Sequence, residues 1–357
     1  MMKRLTSLIL CGALSLCVLL AGCSNEPGES AQGDTNADTT AQAQGDSGTQ
    51  TDGSAPYKVA YIARTLSDPF AAWLANEITA QAAAYADTFT LDVLDAQGDS
   101  EKTNSLIETC ITKKYDCVII QPNDGELQRP YAQKIIDAGI YCITTNAKIP
   151  DLAGSSGVDA DPYEQGAVLA RHAAENVPEN GKVVIMSCLP GNLHTTARLE
   201  AFKKEFVEKR PDVTILAEKI LEQASEADAM ATFEDWVQSY GKIDAALTVA
   251  DAQALGCLEA VKGNSDYDDN FLCYGVDGLS SGLLLIKDGK YTATCFQNAI
   301  QLAELNLKAA NELLSGEKET VEYAITADLV TIDNVDDFLQ LYIDNGSLTQ
   351  EEVDQHG

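Results

Sequence analysis

Basic residues and histidines are scarce in this chain. Lysine and arginine together number 24 against 55 aspartates and glutamates, for a formal charge of -31, and there are three histidines. So acidic a body repels phosphate backbones and anionic lipid headgroups, which excludes nucleic acid as a partner. With His172, His194 and His356 alone and no CxxC spacing, a Cys/His zinc centre is excluded too, and no metal or cofactor is expected. Neither a GxGxxG after a strand nor a P-loop occurs, so the nucleotide-binding signatures of α/β enzymes are missing. The apolar run Leu8–Leu20 is shorter than a bilayer requires, and no stop-transfer charges follow it.

What is present begins with that run. Met1-Met2-Lys3-Arg4 makes a positive start, and Leu20-Ala21-Gly22-Cys23 follows the apolar stretch. Small residues ahead of a cysteine read as a lipoprotein processing site, with residues 1–22 as signal peptide and Cys23 as the lipid-modified N-terminus. An ordinary secretory signal is the alternative. From Ser24 to Pro56 there is no aromatic residue and no Val, Ile or Leu. Such a stretch buries too little apolar surface to offset ordering entropy, so residues 23–56 are expected to be a lipidated cysteine and a flexible acidic linker. These features predict a chain held outside the cytoplasm, attached to the membrane only by lipid.

Seven cysteines remain beyond Cys11, Cys17 and Cys23: Cys110, Cys117, Cys142, Cys188, Cys257, Cys273 and Cys295. The count is odd, so at least one is free. Most stand in apolar runs, where a thiol behaves as a small hydrophobe.

From Tyr57 onward short apolar runs alternate with helical spacing. Strand 58–63 is followed by a helix that Asp68 caps and Pro69 opens, expected to reach Ala86. Strands 90–94, 117–121 and 140–145 alternate with helices 100–114 and 126–138. After Gly157 the pattern starts again, with strands 182–187, 214–219, 245–249, 271–276 and 292–296. Helices 163–175, 195–209, 226–240, 252–261, 280–287 and 301–314 lie around them. This alternation predicts two doubly wound α/β lobes in tandem with parallel sheets, and ligand contacts at the carboxyl ends of the strands.

Val59-Ala60-Tyr61-Ile62-Ala63-Arg64-Thr65-Leu66-Ser67-Asp68-Pro69-Phe70 resembles the opening of ribose- and galactose/glucose-binding proteins. So do Ala197-Arg198-Leu199-Glu200-Ala201-Phe202, Gly275-Val276-Asp277-Gly278, and Thr294-Cys295-Phe296-Gln297 ahead of a long helix. In order and over Tyr57 to about Thr331, they resemble the type 1 periplasmic binding proteins, the sugar-binding components of ABC importers. The resemblance implies Rossmann-like lobes joined by a three-crossing hinge. Residues 57–158 plus 298–323 would form the N-terminal lobe, and 159–297 plus 324–346 the C-terminal lobe. It further implies a small-molecule sugar ligand, an ABC permease in the membrane as partner, and a monomer.

The same resemblance singles out the candidate ligand residues. Phe70 falls where the family packs a ring against the sugar's apolar face, the alternative being an ordinary core phenylalanine. Asp68 is a helix cap that could also accept from hydroxyls with its other oxygen. Asn146 can donate and accept toward vicinal hydroxyls, or serve as a turn residue. Arg198 offers a planar fork of donors, or is a surface arginine. Asp277 ends a buried strand on a tight turn, and Gln297 sits at a lobe crossing. Arg64 replaces the small or aromatic residue of the family and brings a positive donor to the cleft.

Other departures are Ala71 for a second aromatic, Ala147 and Lys148 where ribose binders carry an arginine, and Ala250 for an asparagine. No aromatic stands near Gln223 or Ala224; Tyr163, Tyr274 and His194 are the candidate substitutes. These changes keep a polyol site and count against ribose. A calcium loop has no counterpart around Asn176–Lys182, and Asp266-Tyr267-Asp268-Asp269 reads as a solvated turn. Catalysis is disfavoured because the resemblance makes Asp68 and Asp277 acceptors and not a glycosidase dyad. Sugar-responsive repressors of this fold begin with a helix-turn-helix, where this chain has an export signal. A receptor subunit that reports sugar to a membrane kinase or chemoreceptor is the remaining alternative.

Overall fold

The computed structural model describes residues 56–267 and 270–357. The expected signal peptide, Cys23 and all of the linker but Pro56 lie outside the described residues, as do Asp268 and Asp269.

The first sheet starts with β1 (Tyr57–Ala63), β2 (Phe89–Asp95), β3 (Cys117–Ile120), β4 (Tyr141–Thr145) and β5 (Ser156–Ala160). Between them run α1 (Pro69–Gln81), α2 (Ser100–Thr112) and α3 (Gly125–Asp137). The second lobe follows with α4 (Pro162–Asn176), β6 (Lys182–Cys188), α5 (Leu193–Phe202), β7 (Thr214–Leu221), α6 (Glu226–Tyr240) and β8 (Ala245–Thr248). It continues through α7 (Asp251–Val261), β9 (Leu272–Asp277), α8 (Ser280–Lys287) and β10 (Ala293–Phe296). The long helix α9 (Ala299–Leu314) and β11 (Glu322–Ile325) return to the first lobe; β12 (Asp328–Val330), α10 (Val335–Asp344) and α11 (Gln350–Val353) end the chain.

The first sheet has the order β11-β5-β4-β3-β1-β2 and is parallel throughout. The second has the order β12-β10-β9-β8-β6-β7, with β12 antiparallel at its edge. The chain therefore passes between the sheets three times: after β5, after β10 and after β11. In each sheet the order reverses beside the lobe's first strand, between β1 and β3 and between β6 and β8, and a crevice opens at the carboxyl ends there.

Local chemistry explains the helix starts that face this crevice. Asp68 Oδ1 accepts from Ala71 N at 2.9 Å, with Pro69 supplying a preset φ at the first position of α1. Asn192 Oδ1 accepts from His194 N and Thr195 N at the start of α5. Strands β1, β3, β5 and β8 are buried almost or wholly along their lengths because helices cover both faces.

Several elements differ from the sequence expectation. The first helix ends at Gln81 and tightens to a 3-10 turn over Ala82–Tyr85, which stacks Tyr85 on Phe89 with centroids 5.4 Å apart. Helix α5 gives way to a π turn over Lys203–Val207. β5 and everything after α9 had no clear run to announce them: Ser156-Gly157-Val158-Asp159-Ala160 is short and half polar, yet it is fully buried between β4 and β11. The tail to Gly357 packs on the second lobe, with Val353 in its core and Gly357 N bonded to Asp288 Oδ1. No helix among the described residues is long and apolar enough to cross a membrane.

Candidate functional site

Strand ends of both sheets meet at one cavity. Arg64 follows β1 and Asn146 follows β4; Asp68 and Phe70 open α1. From the second lobe come Cys188 at the end of β6 and Leu189 after it, Asn192 capping α5, His194, Thr195 and Arg198 within α5, Ala224, Ala250 before α7, Asp277 at the end of β9, and Gln297 after β10. The cavity thus brings together all seven side chains singled out in the sequence. Free room inside it is about 20 Å³, enough for one water, because the lining groups bond one another.

Gln297 is the centre of that network. Its Oε1 accepts from Asn146 Nδ2 at 3.0 Å, Gln165 Nε2 at 2.9 Å and Arg198 Nη2 at 3.0 Å, and its Nε2 donates to Asp277 Oδ1 at 3.3 Å. Asn146 is held from behind by Gln121, whose Nε2 donates to Asn146 Oδ1 at 2.8 Å. Gln121 Oε1 accepts from Tyr61 Oη and from Arg64 N, so one buried amide orients two cavity residues. Arg198 donates to Gln165 Oε1 and Val249 O as well, all neutral acceptors, and is 4% exposed.

Of the two roles considered for Asp68, the structure shows the helix cap. One oxygen caps α1; the other accepts from Arg64 Nη2 at 3.0 Å in a buried ion pair. Burial opposes the Arg64 charge, but Asp68 outweighs it and raises the guanidinium pKa. Arg64 Nε is buried without a partner and remains available to an acceptor in the cavity.

Asp277 is the most strained lining residue. Its φ of 137° lies where glycine is favoured, a conformation costing about 1–3 kcal/mol for other residues. Desolvation raises its carboxyl pKa well above the usual range, and Arg198 only partly opposes this. A carboxyl so placed is short of hydrogen-bond partners of its own. The Cys188 thiol is pushed up by burial to about 12, which leaves it an apolar wall.

Phe70 belongs to the core and to the cavity wall at once. It is 2% exposed and meets Trp73 edge-on at 5.9 Å. Of the three candidate second rings, only His194 lines the cavity; its Nε2 lies 2.8 Å from Asp159 Oδ2. Tyr163 points away, its hydroxyl bonded to Glu205, and Tyr274 is buried in β9 against His172. Asn192, Thr195, Gln121 and Gln165 were not anticipated. Asn192 had a readable signal, a capping residue ahead of a helix, whereas Gln121 and Gln165 are buried amides whose partners are remote in sequence.

The lobes also touch at the mouth. Asn192 Nδ2 donates to Asn123 O at 3.3 Å, and Gly191, at φ 84°, stands so close to Asp124 that a Cβ would lie 2.5 Å from Oδ2. Gly278-Leu279-Ser280-Ser281-Gly282 has the GxSxG spacing of a nucleophile elbow. Ser280 opens α8, however, and no hydrogen bond among the described residues joins it to a histidine. No group of three or more His, Cys, Asp or Glu side chains among the described residues could hold a metal ion.

The family model described as "Periplasmic binding protein domain" matches residues 59–318. The chain is 28% identical over 331 residues to the ribose import binding protein of Bacillus subtilis, covering 92% of this chain and 98% of that one. It is 27% identical over 246 residues to the xylitol-binding protein of Mycolicibacterium smegmatis, covering 68% of each. Among solved structures, an ABC transporter solute-binding protein of Bacillus halodurans with bound myo-inositol is similar in fold. The TM-score is 0.75 at 24% identity, over 82% of this chain and 100% of that one.

Proposed function

This chain belongs to the periplasmic binding protein family, and from that premise we propose that it is the extracytoplasmic solute-binding lipoprotein of an ABC importer. It captures a monosaccharide or related polyol between its lobes by hinge closure and delivers it to a membrane permease. The family binds solutes, so no chemical step is assigned to the site. The observation that carries the reading is the convergence of Arg64, Asp68, Phe70, Asn146, Arg198, Asp277 and Gln297 on one cavity at the carboxyl ends of both sheets.

The chemistry suits neutral hydroxyls. Asp68 and Asp277 accept from them, Arg64 and Arg198 donate to them, and Asn146 and Gln297 do both. Phe70 offers an apolar wall to ring CH groups. In the closed arrangement these groups satisfy each other, and an incoming polyol exchanges those bonds for its own. Only contacts stronger in the closed than in the open form drive closure, and a solute touching both lobes makes such contacts.

The proposal takes residues 57–158 plus 298–323 as one lobe and 159–297 plus 324–346 as the other. The sharing of the first sheet by β5 and β11 supports this division and carries the first crossing on to Ala160. Attachment through Cys23 rests on the Leu20-Ala21-Gly22-Cys23 pattern, and a single chain holds the whole cavity, which supports a monomer.

A thermal-shift screen of the domain from Tyr57 onward with ribose, xylitol, myo-inositol and sugar acids tests the reading. A solute that binds only the folded form raises Tm, by about 2.7 kcal/mol of added stability at a hundredfold excess over Kd. The expected result is a rise with one polyol that Asp277→Ala removes; response to a different class alone would refute the sugar assignment. Loss of lipid labelling in Cys23→Ala checks the anchor separately.

A further inference from the structure

We propose that Tyr342, on the C-terminal helix α10, is a positioning residue of the solute cavity that ties the Asp277 turn to the Phe70 wall across the two lobes. The role rests on the reading of the cavity as a solute site. Helix α10 lies beyond residue 318, where the family match ends.

The geometry is a closed circuit of contacts. The Tyr342 hydroxyl donates to Gly278 O at 2.7 Å, one residue past Asp277. The rest of that turn is clamped from the other side: Leu279 N donates to Asp251 Oδ2 at 2.8 Å and Gly278 N to Thr294 Oγ1 at 3.2 Å, while Thr294 Oγ1 donates to Asp251 Oδ1 at 2.7 Å. Asp251 and Thr294 reach the two amides; among these contacts only Tyr342 reaches the carbonyl. Because Asp277 sits at φ 137°, its carboxyl stays aimed into the cavity only while the flanking turn is held.

The ring of Tyr342 performs the second half. It stacks on Trp73 of α1 with centroids 5.0 Å apart and an interplanar angle of 27°, and Trp73 in turn meets Phe70 edge-on. Glu77 Oε1 accepts from Trp73 Nε1 at 3.2 Å and from Asn345 Nδ2 at 3.0 Å, which joins the two helices again on the outer side. Phe338, one turn before Tyr342, packs on Phe296 at 4.9 Å, beside the crossing at Gln297. The side chain is 3% exposed, so both of its contacts lie in dry surroundings where they count for more than at the surface.

Tyr342→Phe and Tyr342→Leu in the full chain separate the two contacts, with Trp236→Phe as background so that Trp73 is the only tryptophan. In Tyr342→Phe the stack survives and the hydroxyl is lost. Deuterium exchange of the amides of 277–282, measured without solute, is expected to quicken about tenfold, while Trp73 quenching by acrylamide stays as in the parent. In Tyr342→Leu, quenching of Trp73 rises as well. With xylitol, ribose and myo-inositol as probes, whichever raises the parent's Tm is expected to bind Tyr342→Phe about tenfold more weakly, with the solute-free Tm lowered by the loss of one buried hydrogen bond. Unchanged exchange over 277–282, or affinity equal to the parent, overturns the role. If none of the three probes acts on the parent, the polyol reading fails while the exchange and quenching results still decide the positioning role.

Discussion

Asn146 and Gln297, 151 residues apart, meet through a 3.0 Å hydrogen bond from Asn146 Nδ2 to Gln297 Oε1. That oxygen serves two other donors, so Asn146 after β4 and Arg198 of α5, which line the cavity, and Gln165 of α4 behind them are joined through one side chain at a lobe crossing.

Gln297→Ala is expected to leave buried donors of Asn146, Gln165 and Arg198 with fewer acceptors. An unsatisfied buried polar group costs about 1–3 kcal/mol, so the loss in urea unfolding of the solute-free domain should fall in that range. Stability equal to the parent would mean that water replaces the amide without penalty.

The Asp277 carboxyl predicts a pH dependence of definite sign. Its native pKa is raised above the ordinary 3.8 by burial, so the native state holds this proton more tightly than the unfolded chain. Its stabilising contribution is complete below 3.8 and is lost as pH rises toward the raised value. Asp277→Asn, which cannot ionise, should match the parent in stability at acid pH and exceed it increasingly as pH rises through that window. Urea unfolding of both proteins at several pH values checks this, and a gap that narrows with rising pH would refute it.

Gly191→Ala should weaken closure without altering the cavity lining. The position has φ 84°, and an added Cβ would meet Asp124 Oδ2, a carboxylate whose other oxygen is pinned by capping α3. The overlap with Asp124 is made only in the closed form, and a penalty of about 1–3 kcal/mol there corresponds to roughly a five- to 150-fold loss of solute affinity by calorimetry. Parent-like affinity would place the mouth contact outside the closing motion.

Thiol reagents should find nothing to react with in the folded domain. All seven cysteines from Cys110 to Cys295 are buried and unpaired, and burial pushes Cys110, Cys142 and Cys188 to about 12. The thiolate is the reactive form, so native protein should label far more slowly than protein in denaturant, where seven thiols count. Rapid labelling of one cysteine in the native state would contradict this.

The lobed α/β architecture was legible in the sequence because apolar runs of four to seven residues and capped helices are local signals. Asp68-Pro69 opens α1, Val118-Ile119-Ile120 is buried strand, and Asp277 ends β9; none of these needs knowledge of a distant partner. Their motifs in series carried the family resemblance as well. What only the tertiary structure decided is pairing. That Arg64 holds Asp68 while keeping Nε free, that Gln121 orients Asn146, that His194 and not Tyr163 or Tyr274 turns to the cavity, and that Tyr342 reaches Gly278 O all depend on side chains brought together across tens to hundreds of residues. A buried amide or hydroxyl has no periodicity to betray it; its place follows from the donors and acceptors that the packed sheets leave unsatisfied around it.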